Sequence, residues 1–343
     1  MPRKNTPQHA GLKEVAAATG VSLMTVSRAL RGLDGVSDAK RAKILQVARK
    51  LNYLPNSNAR SLAVTNSNLI GICLPNLYND VFADILVSMR DVFRRAGYAT
   101  VIETTEYDPQ AEYDWVERLL SWRPAAVVLT GHDHLPETVS ALRGAKIPTL
   151  EIWDVSGDPI DIAVGLDHEA TGRALGTHVA GLGYKRPAYV GAIRGYDPRA
   201  DARLRGLRDA FAHRLDPAEW IVSRVDAGNS FSSGAEGTRR LLSGGAAPDV
   251  IFYLNDQFAF GGLMTCGEFD LNVPSDIGLV GFNAVDLTCV LKPELTTSAS
   301  PRREIGGTGA RQLLARLNGL PAAPPIVLDA RNIEGATPQA QPA

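Results

Sequence analysis

The sequence predicts an α/β core of two lobes, preceded by a small all-α domain. The first fifty or so residues contain three short segments with apolar residues at helical spacing. After them, apolar strands alternate with helical stretches in two successive series, which is the pattern of parallel sheets covered by helices. With 343 residues, 45% of them hydrophobic, the chain is long enough for two or three domains with their own cores.

The N-terminal domain is predicted to contain three helices joined by short turns. The first helix ends at Gly20, and Ser22 then stands where it caps a second helix over Leu23–Leu30. Ser37 is the equivalent cap for a third helix from Asp38 to about Leu51. Three helices of this length are expected to form one small bundle.

The core follows a mostly polar linker over residues 52–68. A long amphipathic helix is predicted over Val81–Ala96. The first series of predicted strands is Leu69–Leu74, Ala99–Ile102, Ala125–Leu129, Pro148–Ile152 and Ile162–Val164; the second is Ala188–Val190, Trp220–Val222, Val250–Tyr253 and Ile277–Val280. Two series suggest two lobes with a cleft between them.

Charge is distributed unevenly along the chain. Residues 1–60 hold eleven Lys/Arg against three Asp/Glu, a net charge of +8, whereas the remainder holds 25 against 34, a net charge of −9. A basic module joined to an acidic one is typical of a polyanion-binding head on a body with another task.

Several function classes receive no support from the residues. Cys73, Cys266 and Cys289 are odd in number, widely spaced and without a CxxC pair, so neither a disulfide framework nor a zinc site is indicated. The polar first residues and the absence of a long apolar stretch argue against a signal peptide and a membrane span, which favours a cytoplasmic protein. There is no GxSxG, HExxH or phosphate loop, so neither an enzyme nor a cofactor is expected.

The segment His132–Asp133–His134 raises the question of a metal site. If the segment is extended, the two histidines point to opposite sides and make poor joint ligands. A solvent-exposed or pocket-rim loop is therefore the preferred interpretation, and no metal is expected.

The stretch EVAAATGVSLMTVSRALRG, Glu14–Gly32, has the features of a helix-turn-helix. Its second helix must enter the major groove with short polar and apolar side chains near its N-terminus. The candidate DNA-contacting residues there are Leu23, Met24, Thr25, Ser27 and Arg28. A small helical bundle with a charged face is the alternative, and the local charge of +8 counts against it.

Together with LNYLPNSNARSLA, Leu51–Ala63, this stretch resembles the lactose/galactose repressor family. The resemblance implies that Asn58–Thr65 is a hinge helix that forms on DNA, and that Leu62 wedges into the minor groove at the operator centre. It also implies DNA contacts from Asn56, Arg60 and Ala63.

The resemblance extends over about residues 12–336 through segments that include GICLPNLYNDVFADIL (Gly71–Leu86), ARLRGLRDAF (Ala202–Phe211) and VGFNAVDLT (Val280–Thr288). It implies two periplasmic-binding-protein-like, Rossmann-type lobes with a ligand between them. The implied organisation is a helix-turn-helix domain at 1–57, a hinge at 58–68, an effector-binding and dimerisation core at 69–336 and a disordered tail at 337–343. Within the core, lobe 1 is expected at about 69–165 and 298–327, and lobe 2 at about 166–297 and 328–336.

Carried over position by position, the resemblance implies effector contacts from Phe82, Asp154, Arg203, Asn255 and Asn283. An arginine, a carboxylate and planar amides make directed bonds to ligand oxygens, while an aromatic face covers a sugar's C–H surface. The guanidinium of Arg203 can hold a carboxylate with two bonds, although the same residue would also suit a helix surface already rich in arginine.

One departure from the family suggests the chemistry of the effector. The family commonly has Asp where this chain has Asn283, and a neutral amide there removes a charge that would repel an anion. In addition, VVLTGHDHLPET (Val127–Thr138) and DIAVGLDHEATGR (Asp161–Arg173) resemble the gluconate-operon and 2-ketogluconate regulators. The hypothesis is therefore a sugar-acid effector, phosphorylated or not.

The expected function is sequence-specific regulation of transcription, with repression as the expected mode, by a homodimer on a pseudo-palindromic double-stranded operator with a central CG. Effector binding would alter operator affinity allosterically. A regulator that responds to a neutral sugar or a nucleobase is the first alternative. A sugar-binding protein or a sugar-modifying enzyme is the alternative from another class.

Overall fold

A computed structural model describes residues 11–30, 32–53, 67–78, 80–226, 231–245, 247–290 and 292–340. Residues up to Thr65 and residues from Asn66 onward form separate compact units. The predicted hinge over 58–68 lies almost entirely outside the described residues. Within the described residues, no helix is long and apolar enough to cross a membrane.

The first unit is a bundle of three helices. They are α1 (Leu12–Thr19), α2 (Leu23–Leu30) and α3 (Asp38–Lys50). Val15, Val26 and Ile44 contribute one residue from each helix to a shared buried core. The backbone N–H of Thr25 donates to the Ser22 hydroxyl, which confirms the predicted cap of α2. Ser37 occupies the cap position of α3 but its side chain makes no capping bond.

Lobe 1 is a six-stranded parallel sheet with the strand order β11-β5-β4-β3-β1-β2. Its strands are β1 (Leu69–Leu74), β2 (Ala99–Thr104), β3 (Ala126–Thr130), β4 (Thr149–Asp154), β5 (Ile162–Leu166) and β11 (Ile326–Val327). Its helices are α4 (Asp80–Arg95), α5 (Pro109–Ser121), α6 (Pro136–Ala145) and α11 (Arg302–Leu317). The two faces of the sheet pack into separate apolar clusters.

Lobe 2 is a four-stranded parallel sheet with the order β7-β6-β8-β9, accompanied by an antiparallel pair of β10 and β12. Its strands are β6 (Pro187–Ala192), β7 (Ile221–Val225), β8 (Val250–Tyr253), β9 (Gly278–Val280), β10 (Thr297–Ala299) and β12 (Arg331–Ile333). Its helices are α7 (His168–Gly181), α8 (Pro198–Phe211), α9 (Phe231–Ser243) and α10 (Asp256–Glu268). Short 3-10 turns lie at Pro217–Glu219 and Asp286–Cys289.

The architecture confirms the predicted fold class, a helical domain followed by two lobes with parallel sheets. The prediction of a disordered tail from residue 337 is wrong at its start. Thr337 is buried, donates its hydroxyl to the Leu279 carbonyl and accepts a backbone bond from Thr296. These bonds tie Thr337 to lobe 2, so polar composition did not indicate disorder at this residue.

In each lobe the chain adds one strand on one side of the first strand and the next strands on its other side. The order of strands therefore reverses between β3 and β1 in lobe 1 and between β6 and β8 in lobe 2. In open parallel sheets, ligands bind beyond the carboxyl ends of the strands at such reversals. The loops that follow these strands are therefore the expected location of an effector site.

The contact between α7 and α8 fixes the helix that carries Arg203, and it depends on glycine. A Cβ on Gly206 would lie 1.9 Å from the Glu169 carbonyl oxygen, and one on Gly172 would lie 2.2 Å from that of Arg203. We expect Gly206→Ala to destabilise the core by about 3 kcal/mol, because the opposing atoms belong to the backbone. Thermal denaturation measures this effect.

Gly181, at the end of α7, provides the matched control because a Cβ added there would meet nothing within 4 Å. Gly181→Ala is expected to be neutral or stabilising by about 0.5 kcal/mol. Equal melting temperatures for the Gly206 and Gly181 variants would contradict the close helix contact.

Candidate functional site

The N-terminal half of α2 exposes apolar side chains. Leu23 is 46% exposed and Met24 is 71% exposed, whereas Thr25 and Ser27 are half-buried. The hydroxyls of Ser22 and Thr25 lie 2.9 Å apart and share a hydrogen bond. Contact of these side chains with base edges stays a prediction.

Arg28 has a different environment from its predicted neighbours. Its Nε and Nη2 donate to the Asp34 carbonyl oxygen at 3.0 and 2.7 Å, which fastens the loop between α2 and α3. A DNA contact by Arg28 stays a prediction and would use its remaining donors. The other predicted DNA contacts, Asn56, Arg60, Leu62 and Ala63, lie outside the described residues.

A small pocket lies between the two lobes at the carboxyl ends of their strands, and we call it the interlobe pocket. Four of the five predicted effector residues line it: Phe82, Arg203, Asn255 and Asn283. The other lining residues are Val81, Tyr107, Trp153, Asp197 and Leu254. Lobe 1 therefore supplies mainly aromatic and apolar surface, and lobe 2 supplies most of the polar groups.

Arg203 reaches the pocket from α8 and is held by neutral partners. Its Nη1 donates to Nδ1 of His168 at 3.0 Å, and its Nη2 donates to the Leu254 carbonyl oxygen at 3.2 Å. The guanidinium carbon lies 4.1 Å from the centre of the Phe282 ring. His168 in turn bonds through Nε2 to the Trp153 carbonyl oxygen at 2.9 Å, which fixes its tautomer.

The charge of Arg203 is buried, and it is offset only in part by the Asp197 carboxylate, which lies beyond ion-pair distance. Only 7% of the residue is exposed, and burial lowers the pKa of its guanidinium from the ordinary value. Burial also lowers the pKa of His168 well below its ordinary value, so this partner is neutral. Among the described residues, no carboxylate lies within ion-pair distance of Arg203. A buried cation of this kind favours binding of an anion.

The carboxylate of Asp197, which also lines the pocket, already has a partner. Asp197 accepts from Nε of Arg199 at 2.9 Å and from the Arg199 backbone N–H at 3.2 Å, where it caps α8. Burial acts to raise the pKa of Asp197, but the Arg199 and Arg203 guanidinium groups hold it below its ordinary value. Asp197 is therefore ionised and committed mainly to Arg199.

The two amide side chains are positioned by their backbones. The Oδ1 atom of Asn255 accepts from the Phe258 N–H at 3.0 Å and caps α10, which leaves the amide NH₂ for a ligand oxygen. Asn283 has φ +104° and its Oδ1 accepts from the Ser300 hydroxyl at 3.3 Å. Asn and Asp tolerate positive φ better than most residues, so the backbone here admits either, and the choice of Asn sets the charge.

Asp154, the fifth predicted effector residue, does not line the interlobe pocket. Its Oδ1 accepts from the Ser156 N–H at 2.9 Å within its own loop. The preceding residue, Trp153, has φ +79° and occupies the pocket wall, where its ring packs edge-on against Phe82. Because the backbone at Trp153 is left-handed, the side chain of Trp153 lines the pocket and that of Asp154 does not. An effector contact by Asp154 stays a prediction.

Tyr107, Trp153 and Asp197 line the pocket but were not predicted to do so from the sequence. Trp153 directly follows a strand that the sequence predicts, and Tyr107 and Asp197 lie in the loops after two others. The residues that follow parallel strands would therefore have been a usable signal. Tyr107, Trp153 and Asn283 all have positive φ, and such strain concentrates at functional sites.

The segment His132–His134 lies at the rim of a cavity, in agreement with the pocket-rim half of the prediction, but its two histidine side chains are buried in an ion cluster while Asp133 is exposed. The Nδ1 atoms of His132 and His134 lie 2.7 Å from carboxylate oxygens of Glu151 and Glu112, respectively. Nε2 of His134 lies 3.5 Å from the same Glu151 oxygen that contacts His132. The two histidines therefore converge on Glu151, contrary to the expectation that they diverge.

Protonation of this cluster follows from its contacts. Burial acts to lower the pKa of His134, but its contacts with Glu112 and Glu151 raise it to about 9. The pKa of His132 is also raised, and that of Glu151 is lowered, despite the opposing effect of burial on each. No set of three or more His, Cys, Asp or Glu side chains in the described parts of the chain is arranged to hold a metal ion.

Comparisons with known proteins agree with both parts of the chain. Residues 11–56 match the family of bacterial regulatory proteins of the lacI type, and residues 177–337 match the periplasmic binding protein-like domain. The chain is 35% identical to the HTH-type transcriptional regulator GntR of Escherichia coli K12, over 92% of this chain and 94% of that protein. It is 32% identical to the regulator IdnR of the same organism, over 89% and 91%.

Solved structures give the same result. A crystal structure of a LacI family transcriptional regulator from Silicibacter pomeroyi superposes with a TM-score of 0.88 and 34% identity, covering 96% of this chain and 99% of that chain. These matches confirm the resemblance inferred from the sequence motifs. The protein is a member of the LacI family of DNA-binding transcriptional regulators.

Proposed function

We propose that a small sugar acid, such as gluconate or 2-ketogluconate, binds in the interlobe pocket and controls the affinity of this regulator for its operator. The observation that carries the proposal is the buried guanidinium of Arg203, whose hydrogen-bond partners are a neutral histidine and a carbonyl oxygen. A carboxylate is the ligand group that matches this guanidinium in charge and geometry.

The remaining groups suit the hydroxyls of such an acid. The amides of Asn255 and Asn283 offer hydrogen bonds without adding negative charge, and the rings of Phe82 and Trp153 offer an apolar face. The resemblance of Val127–Thr138 and Asp161–Arg173 to gluconate-operon regulators supports the same class of ligand. Binding between two lobes would alter their relation, and a differential affinity of the two states is what couples effector to operator.

For the operator, we propose a pseudo-palindromic duplex with a central CG, bound in the cytoplasm by a homodimer. Two helix-turn-helix heads in successive major grooves require half-sites about one helical turn apart. Wedging of Leu62 into the minor groove at the centre would kink the duplex there.

The test is operator binding with and without candidate effectors. A duplex is selected from a random pool and then titrated at fixed salt, because phosphate contacts make affinity depend strongly on ionic strength. Gluconate or 2-ketogluconate is expected to shift operator affinity by about tenfold or more, and the sign of the shift identifies an inducer or a co-repressor. Glucose and a nucleobase serve as neutral controls.

A shift produced by a neutral compound and by neither acid would replace the sugar acid with the first alternative. Recovery of chemically altered ligand after incubation would favour a sugar-modifying enzyme, whereas a sensor returns its ligand unchanged. Failure to select any duplex would contradict the regulatory function itself.

The exposed side chains of α2 give a separate prediction for the head. We expect Met24→Ala to weaken specific operator binding by about tenfold, since one good base contact contributes about 1–3 kcal/mol of discrimination. Because Met24 is 71% exposed, the melting temperature of the protein is expected to stay constant. Fluorescence anisotropy on the selected operator measures the loss.

A scrambled duplex at the same salt is the control, since non-specific binding comes from phosphate contacts. If Met24→Ala weakened binding to both duplexes equally, Met24 would not read base identity.

A further inference from the structure

A second cavity lies beside the interlobe pocket, and Tyr107 forms part of the wall of both. The interlobe pocket encloses about 20 Å³, which is room for about one water molecule. The second cavity, which we call the outer chamber, encloses about 100 Å³. Tyr107 is the residue common to the two linings.

Tyr107 comes from lobe 1 and contacts lobe 2 through its ring. The centre of the Tyr107 ring lies 5.0 Å from the centre of the Tyr196 ring and 5.4 Å from the guanidinium carbon of Arg199. Tyr107 follows Glu106 in a turn where both residues have positive φ and the Asp108 N–H donates to the Thr105 carbonyl at 2.8 Å. This pattern matches a type I′ turn, which normally uses Gly, Asn or Asp, so the loop presents Tyr107 at a cost in strain.

A six-carbon acid needs more space than the interlobe pocket encloses. Because Tyr107 lines both cavities, displacement of its ring would join them into one slot that contains Arg203. We propose that Tyr107 is a gate between two halves of the effector site, and that the outer half takes the neutral hydroxyl tail of an unphosphorylated sugar acid and rejects a terminal phosphate. This inference rests on the proposed function, because it assumes an acid bound at Arg203.

The charges of the outer chamber determine what its ligand can carry. Both of its cations are already paired, Arg199 with Asp197 at 2.9 Å and His134 with Glu112 at 2.7 Å. Asp133 lies 3.8 Å from Arg199 at the rim. Asp108 adds a further carboxylate to the lining.

A phosphate dianion in the outer chamber would therefore lie close to carboxylates. Among the described lining residues, every cation already has an acidic partner, so none is available to pair with the phosphate. Like charges in such a position are a strong source of discrimination. Hydroxyl groups fit the same surroundings, because they donate to carboxylates and accept from the phenol and guanidinium groups.

The gate is tested by the kinetics of gluconate binding to the full-length protein, followed by stopped-flow tryptophan fluorescence with Trp153 in the pocket wall as a reporter. Tyr107→Ala removes the partition, and we expect association and dissociation to become about tenfold faster, because a larger fraction of the protein is open to ligand. Tyr107→Phe keeps the ring and is expected to match the wild type. Rates for Tyr107→Ala equal to those of the wild type would overturn the gate.

The rejection of a terminal phosphate is tested by calorimetric titration with gluconate and 6-phosphogluconate. We expect the wild type to bind 6-phosphogluconate at least about tenfold more weakly than gluconate. Asp133→Asn removes one rim carboxylate. We expect it to raise the affinity for 6-phosphogluconate without changing that for gluconate, so that the ratio of the two affinities moves toward one. Asp158→Asn, at an exposed position in the loop after β4, is the matched control and is expected to leave the ratio unchanged.

If the wild type bound 6-phosphogluconate as tightly as gluconate or more tightly, the proposed rejection of a terminal phosphate would be overturned. Failure of the wild type to bind either acid would contradict the proposed function as well, and so the two failures are distinguishable.

Discussion

Replacing Arg203 with methionine is expected to abolish the response of operator binding to sugar acids, while operator binding without effector persists. Arg203 is the buried cation that the ligand carboxylate would pair with, and truncating one side of such a pair typically costs about 2–5 kcal/mol. We therefore expect the affinity for gluconate to fall by about a hundredfold or more. The heads belong to a separate compact unit, so the variant should still bind the operator.

The stability of the same variant separates a ligand contact from a structural role. The Arg203 guanidinium has no carboxylate at ion-pair distance among the described residues, and burial lowers its pKa. Removing this buried charge relieves its desolvation cost, whereas the acceptors on His168 and Leu254 lose their donor at a cost of about 1–3 kcal/mol each. Because these effects oppose each other, we expect Arg203→Met to melt within a few degrees of the wild type. A lower melting temperature together with an intact acid response would contradict our assignment.

Arg205 supplies the matched control. It lies two residues further along α8, is exposed, and pairs with Glu169 at 3.0 Å on the surface. Surface pairs of this kind contribute about 0–1 kcal/mol, so Arg205→Met should change neither melting temperature nor effector response by much. Calorimetry with gluconate and operator anisotropy on both variants, at one salt concentration, complete the comparison.

Much of the fold could be predicted because its signals are local. Apolar periodicity and a serine cap placed α2 over Leu23–Leu30, and a continuous apolar run placed β8 over Val250–Tyr253, as the structure has them. The strands β10, β11 and β12 are only two or three residues long, and they exist through pairing with distant segments. None of these three strands was predicted, because it is pairing with a distant segment that defines each of them, whereas an apolar run marked the equally short β9.

Site residues could be predicted where their position in the fold follows from a strand and a helix cap, but not where they depend on an unusual backbone conformation. Asn255 follows a predicted strand and caps the next helix, so its place at the pocket is a consequence of the fold. Trp153 and Tyr107 enter the pocket through left-handed backbone at residues that rarely adopt it. Nothing in the residue types signals these conformations, and the orientation of Asp154 changes with them.

The histidine segment shows the same limitation in another form. Treating His132–His134 as an extended loop predicted divergent side chains, whereas both rings contact Glu151. Glu151 is almost fully buried within β4, and its backbone neighbours are apolar. The partner that draws the two histidines together is therefore nineteen residues away from His132 and becomes visible only after strands β3 and β4 pair.

Glu151→Gln is expected to be strongly destabilising. The carboxylate of Glu151 contacts both histidines and also accepts the Ile160 N–H, in a region where it is 1% exposed. Removing one partner from a buried ionic cluster typically costs about 3–5 kcal/mol, which corresponds to a fall of about 10 °C in melting temperature for a core of this size. Glu117→Gln is the control, since Glu117 is exposed on the same helix, α5, that carries Glu112.

The pH dependence of stability gives a second measurement on the same cluster. The pKa of His134 rises from 6.5 to about 9 on folding, so its contribution is fully present below pH 6.5 and is lost as the pH rises through about 9. For a shift of this size the contribution is about 3 kcal/mol. We therefore expect the melting temperature of the wild type to fall across this interval, and that of Glu151→Gln to fall less, because its histidines have lost a shared carboxylate. Parallel melting curves for the two proteins between pH 6.5 and about 9 would show that the cluster is not protonated in the folded core.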